Sequence, residues 1–272
     1  MPDRGILNPE AIGDVFSLQR RPPPEDLARF VDVHWIVSWD LRGRAPYHST
    51  VLPHPCVHLV FESHGRGAVH GIPHHRFERR LASVGWAIGT KFLPGGFAPF
   101  IARPVSELTG RVLSLDEVFG AAGAQLRPSA AGSDPEPALA ATHRFLRDRL
   151  GPASALDPRL ELVQAVVAEM LSASPGERVA DIAARHHVSE RTLQRLFSAY
   201  VGIGPKWVLQ RYRMHEAIER LQGDRDVDWA RFALDLGYYD QAHFTRDFRS
   251  LVGRTPAQYG AGAQTQAATA SR

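Results

Sequence analysis

Hydrophobic and polar positions change their period partway along the chain. Between Val31 and Ile88 apolar residues fall in short runs, Val33–Trp39, Cys56–Phe61, Gly67–Ile72 and Leu81–Ile88, parted by Gly, Pro and His clusters. Alternation of period two sends successive side chains to opposite faces of a strand, so these runs predict an antiparallel sheet or small barrel. Residues 1–30, polar and carrying Pro22-Pro-Pro24, predict an arm outside the core. Lys91–Phe97 holds a Pro-Gly turn followed by a helical Phe97–Ala102, and Ser114-Leu-Asp-Glu117 has the reciprocal-capping spacing that opens a helix. Gln125–Pro137 reads as a loop. Asp134-Pro135 opens a helix to about Leu150, and Asp157-Pro158 opens another with Leu160, Val163, Val167 and Leu171 on its buried face. This divides the chain into 1–150, 151–260 and a disordered tail at 261–272, with the boundary near Gly151 to Asp157.

From Val179 onward one device occurs twice. Val179–Phe197 and Trp229–Phe248 each begin with a short amphipathic helix carrying a small alanine, then a tight turn. A polar cap follows, Ser189 or Asp240, and opens a second helix. That helix hides Leu193, Leu196 and Phe197 in the first copy, Phe244 and Phe248 in the second, and turns arginine and glutamine outward. The spacing is that of a helix-turn-helix, whose second helix can lie in a DNA major groove. One copy is a weak signal, since many three-helix cores share it. Two copies with caps 51 positions apart are specific. Between them Pro205–Leu221, with Trp207, Val208, Tyr212, Met214 or His215, Ile218 and Leu221 on one stripe, makes a rod of about 25 Å. Such a rod can present two reading helices to one DNA face a turn apart, about 34 Å.

Composition adds limits. The chain has 272 residues, 44% hydrophobic and 22% charged, enough for two cored domains. Its formal net charge is +3, and across Glu177–Tyr259 there are 13 basic and 11 acidic residues, so bulk charge does not announce nucleic acid. Lys91 and Lys206 are the only lysines; the arginine bias suits bidentate contact to guanine or phosphate, and equally reflects genome composition. A single cysteine, Cys56, excludes an internal disulfide and a Cys-rich zinc site. No apolar run spans a membrane and no secretory signal pattern is present, so a cytoplasmic protein without membrane partners is expected.

Histidine is concentrated early, with eight of 13 between His34 and His75. His54, Cys56 and His58 alternate, and on one strand would share a face, with Glu62 two strand positions beyond His58. Three readings stay open: a first-row metal site, a thiol activated by imidazoles, or residues lining a partly polar interior. No metal or cofactor is assigned. Trp35, His54, His58 and Trp86 are the candidates for lining a small-molecule pocket.

Residues 156–259 closely resemble the DNA-binding domain of the AraC/XylS family of bacterial transcription regulators. The likeness rests on Ile182-Ala183, Val188-Ser189, Leu193-Gln-Arg-Leu-Phe197, Gly202-x-x-Pro205, Arg213-x-x-x-Ala217-x-x-x-Leu221 and Leu236-Gly-Tyr238. It continues through Asp240-Gln-Ala-His-Phe-Thr-Arg-x-Phe248 and Gly253-x-Thr-Pro-x-x-Tyr259. Residues 31–120 resemble the β-rich sensor domain that precedes this module in some actinobacterial members, through Val51–Phe61 and Phe92-Leu-Pro-Gly-Gly96. The resemblance implies an α+β chain: a barrel-like (cupin-like) antiparallel N-terminal domain with flanking helices, and an all-α domain of two helix-turn-helix units joined by a long helix. It implies a sequence-specific regulator, not an enzyme, with duplex promoter DNA, a small-molecule effector, RNA polymerase and a second copy of the chain as partners. Arg191, Thr192, Gln194 and Arg195 then face DNA from the first unit, and Gln241, Ala242, His243, Thr245 and Arg246 from the second. Two residues depart from the pattern: His187 where the turn often has glycine, and Asp247 beside the expected phosphates. The alternatives are a thiol or metal sensor built on Cys56 with His54 and His58, and a DNA alkyl-transfer repair enzyme, which would need a reactive cysteine and a zinc site.

Overall fold

A computed structural model describes residues 7, 16–63, 65–126, 134–151, 157–223 and 227–261. The chain is α+β, with an antiparallel sheet-rich N-terminal domain followed by a helical domain. The strands are β1 (Phe16–Arg21), β2 (Val31–Asp40), β3 (Tyr47–Val51), β4 (His58–Glu62), β5 (Ala68–His70), β6 (Phe77–Leu81), β7 (Val84–Phe92) and β8 (Val112–Ser114). They form two open sheets, a six-stranded one in the order β1-β2-β7-β4-β5-β8 and a β3-β6 ribbon.

Register shows what each sheet face does. Trp35 pairs with Gly89 and Arg20, while Ile36 pairs with Ile88 and Gln19. The face carrying His34, Ile36, Ile88, Leu59 and Phe61 is buried. Helix α3 (Glu136–Arg149) closes part of it, laying Ala138 and Leu139 on Ile36 and Ile88. The opposite face carries Trp35, Val37 and Trp39, all half-buried. The ribbon reaches that face through the Arg79–Glu62 ion pair, the Phe16–Tyr47 ring contact at 4.8 Å and the His70–Phe77 contact at 5.9 Å.

Several expectations are corrected. Residues 16–30 are not a loose arm: β1 pairs along β2, and Leu27 and Phe30 enter the core. Leu81–Ile88 is not one strand but the end of β6, a turn with Ser83 at φ +56°, and the start of β7. Phe97–Ala102 contains only the 3-10 turn Ala98–Phe100. Ser114 makes the expected capping box with Glu117 and opens α1 (Leu115–Phe119), followed by α2 (Ala121–Gln125). Most of the expected 125–137 loop, part of the 151–157 boundary, and the tail beyond 261 lie outside the described residues.

The helical domain opens with α4 (Pro158–Leu171), whose Asp157 caps the Arg159 N–H. Leu160, Val163 and Val167 are buried as expected, but Leu171 is 49% exposed; Val166 and Met170 complete the stripe instead. There follow α5 (Val179–Arg185), α6 (Glu190–Leu196), a π turn (Phe197–Val201), α7 (Pro205–Gly223), α8 (Trp229–Asp235) and α9 (Gln241–Val252). The 19 residues of α7 make a rod of roughly 28 Å. One cluster, with Ile182, Leu193, Phe197 and Val208, packs the first unit on the start of this rod. Another, with Met214, Ile218, Phe232, Phe244 and Phe248, packs the second unit on its end. Among the described residues no helix is long and apolar enough to cross a membrane.

Candidate nucleic-acid interface

The two units are built by the same local rules. Helix α5 is closed by the His187 N–H on the Ala184 carbonyl and the Val188 N–H on the Ala183 carbonyl, both at 3.0 Å. Helix α8 is closed by Gly237 on Leu234 at 2.8 Å and Tyr238 on Ala233 at 3.0 Å. Both are left-handed Schellman closures, with φ +56° at His187 and +75° at Gly237. Ala183 and Ala233 are therefore equivalent, and both are fully buried where the paired helices cross. The caps form as expected: Ser189 accepts the Thr192 N–H at 3.1 Å, and Asp240 accepts the His243 N–H at 2.7 Å. Counting from the caps, Leu193 matches Phe244 and Phe197 matches Phe248, all four at 0% exposure. Gly202 and Gly253, at φ +98° and +83°, end both second helices at the same distance from their caps.

Aligned this way, Arg195 and Arg246 occupy one and the same position of the repeat. Both are exposed, as are Arg191, Gln194, Gln241 and Ala242. None of the side chains of Arg191, Arg195, Gln194, Gln241 and Arg246 makes a hydrogen bond or ion pair among the described residues, whereas most arginine side chains of the helical domain are engaged. Arg185, for example, bridges Glu169 and Glu177. Thr192 and Thr245 are half-buried, and the Thr192 hydroxyl is turned to Ser189 at 2.9 Å. His243 lies 3.5 Å from Asp247 and edge-on to Tyr238 at 5.2 Å, which holds the ring against its own unit. Asp247 therefore has a local partner on α9. An array of unpaired guanidinium and amide groups on the outer face of a capped helix is chemically suited to hydrogen bonding base edges and phosphates.

The four candidate pocket residues are not brought together. Trp35 and His58 are, with the indole N–H donating to His58 Nδ1 at 3.1 Å beneath the ribbon. Burial, then Lys91 and the other histidines, push the His58 imidazole down to about 3, so it accepts as a neutral ring. Trp86 pairs with Ser38, three residues from Trp35 along β2, and so points to the opposite sheet face, against α3. His54 leaves the sheet altogether and stacks on His215 of α7 at 4.1 Å.

The expected shared face of His54, Cys56 and His58 also fails, because β4 begins only at His58 and the preceding Pro53–Val57 is irregular. Cys56 is buried, and burial raises its thiol to about 11, which keeps it protonated. Among the described residues no group of three or more His, Cys, Asp or Glu is arranged to hold a metal.

The sheet domain meets the helical domain along a mixed seam, where Ile72 joins the core of the first unit, Leu52 that of the second, and polar contacts lie beside them. Arg211 of α7 is 2% exposed, lies over the Trp207 ring at 4.3 Å and donates to the His74 carbonyl at 3.2 Å. Burial lowers it to about 10. His215, one turn on, is also buried and held well below the usual range by burial, then by His54 and Arg211. Thr109 donates to the Gly202 carbonyl at 2.6 Å, and Arg29 pairs with Glu161 at 2.7 Å. These partners are far apart in the chain, so no local pattern announces them.

A duplicated, capped helix-turn-helix on one rod defines a DNA-binding protein of the double helix-turn-helix class. Residues 182–262 match the helix-turn-helix domain family, and residues 19–114 match a domain of unknown function (DUF6597). The chain thus carries an AraC-type helix-turn-helix domain at 182–262. Among solved structures it is similar to the DNA-binding domain of AdpA, a global transcriptional factor, in complex with a target DNA. The two are 26% identical over 40% of this chain and 96% of that one, with a TM-score of 0.33. It is also similar to ToxT from Vibrio cholerae O395, 11% identical over 90% of this chain and 96% of that one, TM-score 0.39. A ToxT structure bound to (E)-4-(8-methylnaphthalen-1-yl)but-3-enoic acid is 12% identical over 92% and 100%, TM-score 0.41. Comparison with curated proteins gives no match.

Proposed function

We propose that the chain is a cytoplasmic, effector-responsive regulator whose α6 and α9 enter adjacent major-groove segments of one promoter duplex. The observation that carries this is the equivalence of Arg195 and Arg246, exposed and unpaired among the described residues, at one position of two identically capped helices. Arg191, Gln194, Arg195, Gln241, Ala242 and Arg246 read base edges, while Thr192, His243 and Thr245 serve the groove wall and backbone. The near balance of charge makes non-specific affinity modest, so base contacts, a second copy of the chain and RNA polymerase supply the rest. Residues 1–150 form the sensing unit and 151–260 the reading unit.

The effector is proposed to meet the sheet face beneath the ribbon, which carries the half-buried Trp35, Val37 and Trp39 and the polar Trp35–His58 pair. Titrating purified protein against labelled promoter fragments tests the reading. Wild type should prefer one sequence, and Arg195→Ala should cost about 1–3 kcal/mol of that preference. Equal affinity for scrambled duplex by wild type and variant defeats it.

A further inference from the structure

From Ala183 to Gly202 and from Ala233 to Gly253 the two units keep the same spacing except for one inserted residue. In the first, Val188 completes the Schellman turn and Ser189 caps the next helix directly. In the second, Tyr238 completes the turn, and Tyr239 is inserted before the Asp240 cap. The residue before a cap ordinarily folds back as a hydrophobic staple onto the helix. Val188 does so, packing into the cluster that contains Leu193. In the second unit Tyr238 is the staple instead, 8% exposed and with its ring meeting Phe244 at 5.3 Å. Tyr239 is thereby released. It is 89% exposed, the most exposed of the large apolar side chains among the described residues, and makes no hydrogen bond or ring contact with them.

An inserted aromatic residue without a packing role stands at the N-terminal end of α9, the end of a reading helix that meets base edges and groove wall. Its neighbours there are the exposed Gln241 and Ala242 and the cap Asp240, whose carboxylate is occupied by the His243 N–H. We propose that Tyr239 is a DNA-backbone contact belonging to the second unit alone, its phenol O–H donating to a phosphate oxygen beside the groove that α9 enters. This rests on the DNA-reading assignment above and deepens it. The first unit has no counterpart, so the contact makes the two ends of the site unequal and gives a single chain a direction on the duplex. A neutral donor also suits a helix whose acids, Asp240 and Asp247, would weaken a purely cationic grip on phosphate.

The test uses the full chain with a duplex selected for binding and a scrambled duplex, read by fluorescence anisotropy. Tyr239→Phe keeps the ring and removes the hydroxyl. It should weaken binding to both duplexes by the same factor, about ten- to a hundredfold, as expected for one hydrogen bond to a charged acceptor. The salt slope should not change, because a neutral group releases no counterion. Wild-type affinity in Tyr239→Phe, or a loss confined to the selected duplex, overturns the phosphate assignment while leaving the regulator reading intact. If wild type shows no preference for the selected duplex and Arg246→Ala binds as wild type does, the reading itself has failed and this contact goes with it.

Discussion

Replacing His187 by glycine should strengthen the protein, and the structure sets the size of the gain. His187 holds φ +56° at the turn of the first unit, where the second unit has Gly237 at +75°. A left-handed conformation costs an L-residue about 1–2 kcal/mol. Glycine relieves that cost but gives back about 0.5–1 kcal/mol through the greater freedom of its unfolded chain. The His187 side chain is exposed and makes no hydrogen bond among the described residues, so removing it loses no packing. The expected net gain is about 0.5–1 kcal/mol, a rise of about 1–4 °C in Tm. Denaturant titration reads it as a higher midpoint at unchanged slope. Gly237→Ala is the converse: its new Cβ would lie 2.6 Å from the Gly176 nitrogen and 3.1 Å from Arg213 Cζ, so it should destabilise by more than the turn term alone. If His187→Gly leaves the midpoint unchanged or lowers it, the turn is not strained and the equivalence of the two turns is wrong.

Other consequences are as direct. Asp240→Ala removes the acceptor of the His243 N–H and should cost about 1 kcal/mol, again by denaturation midpoint; no loss means α9 does not depend on this cap. Thr109→Val deletes the donor to the Gly202 carbonyl at the seam and should cost about 1 kcal/mol, with faster amide exchange around Phe197–Gly202 as its signature. Stability should also fall in acid. His34, lowered to about 4 by burial and then by His143, and His215, lowered by burial and then by His54 and Arg211, bind fewer protons folded than unfolded. For such groups the folded state loses ground as pH drops below the ordinary 6.5, by up to about 1.4 kcal/mol per pH unit each, and is unaffected above it. Lys91 and Arg211 add only like charge around His215, whereas the Pro53 carbonyl at 3.4 Å favours its protonated form. His215→Gln should flatten the slope between pH 6.5 and 5, and an identical slope would rule out this histidine.

The helical domain was legible because its signals are local. Cap, small residue, buried aromatic and terminal glycine sit at fixed offsets, and Ser189, Ala183, Phe197 and Gly202 each land where the spacing puts them. The sheet domain was read correctly in class and less well in detail, because its organisation depends on pairing. Phe16–Arg21 is strand because β2 lies beside it, despite a polar, basic composition that alone predicts an arm. The β6–β7 turn passes through Ser83 in a left-handed conformation that a search for glycine overlooks. Trp35 and Trp86 look alike in sequence, yet register sends them to opposite faces. The stack of His54 on His215 joins distant segments, so it leaves no trace in any window of sequence.

Selecting binding sites from a random duplex pool with wild type, Arg195→Ala and Arg246→Ala addresses the duplicated reader most directly. Each substitution should relax base preference in its own short block, and the two blocks should lie about 10–11 base pairs apart, one helical turn. Relaxation of the same block by both variants, or of none, would contradict the idea that one chain reads two neighbouring grooves.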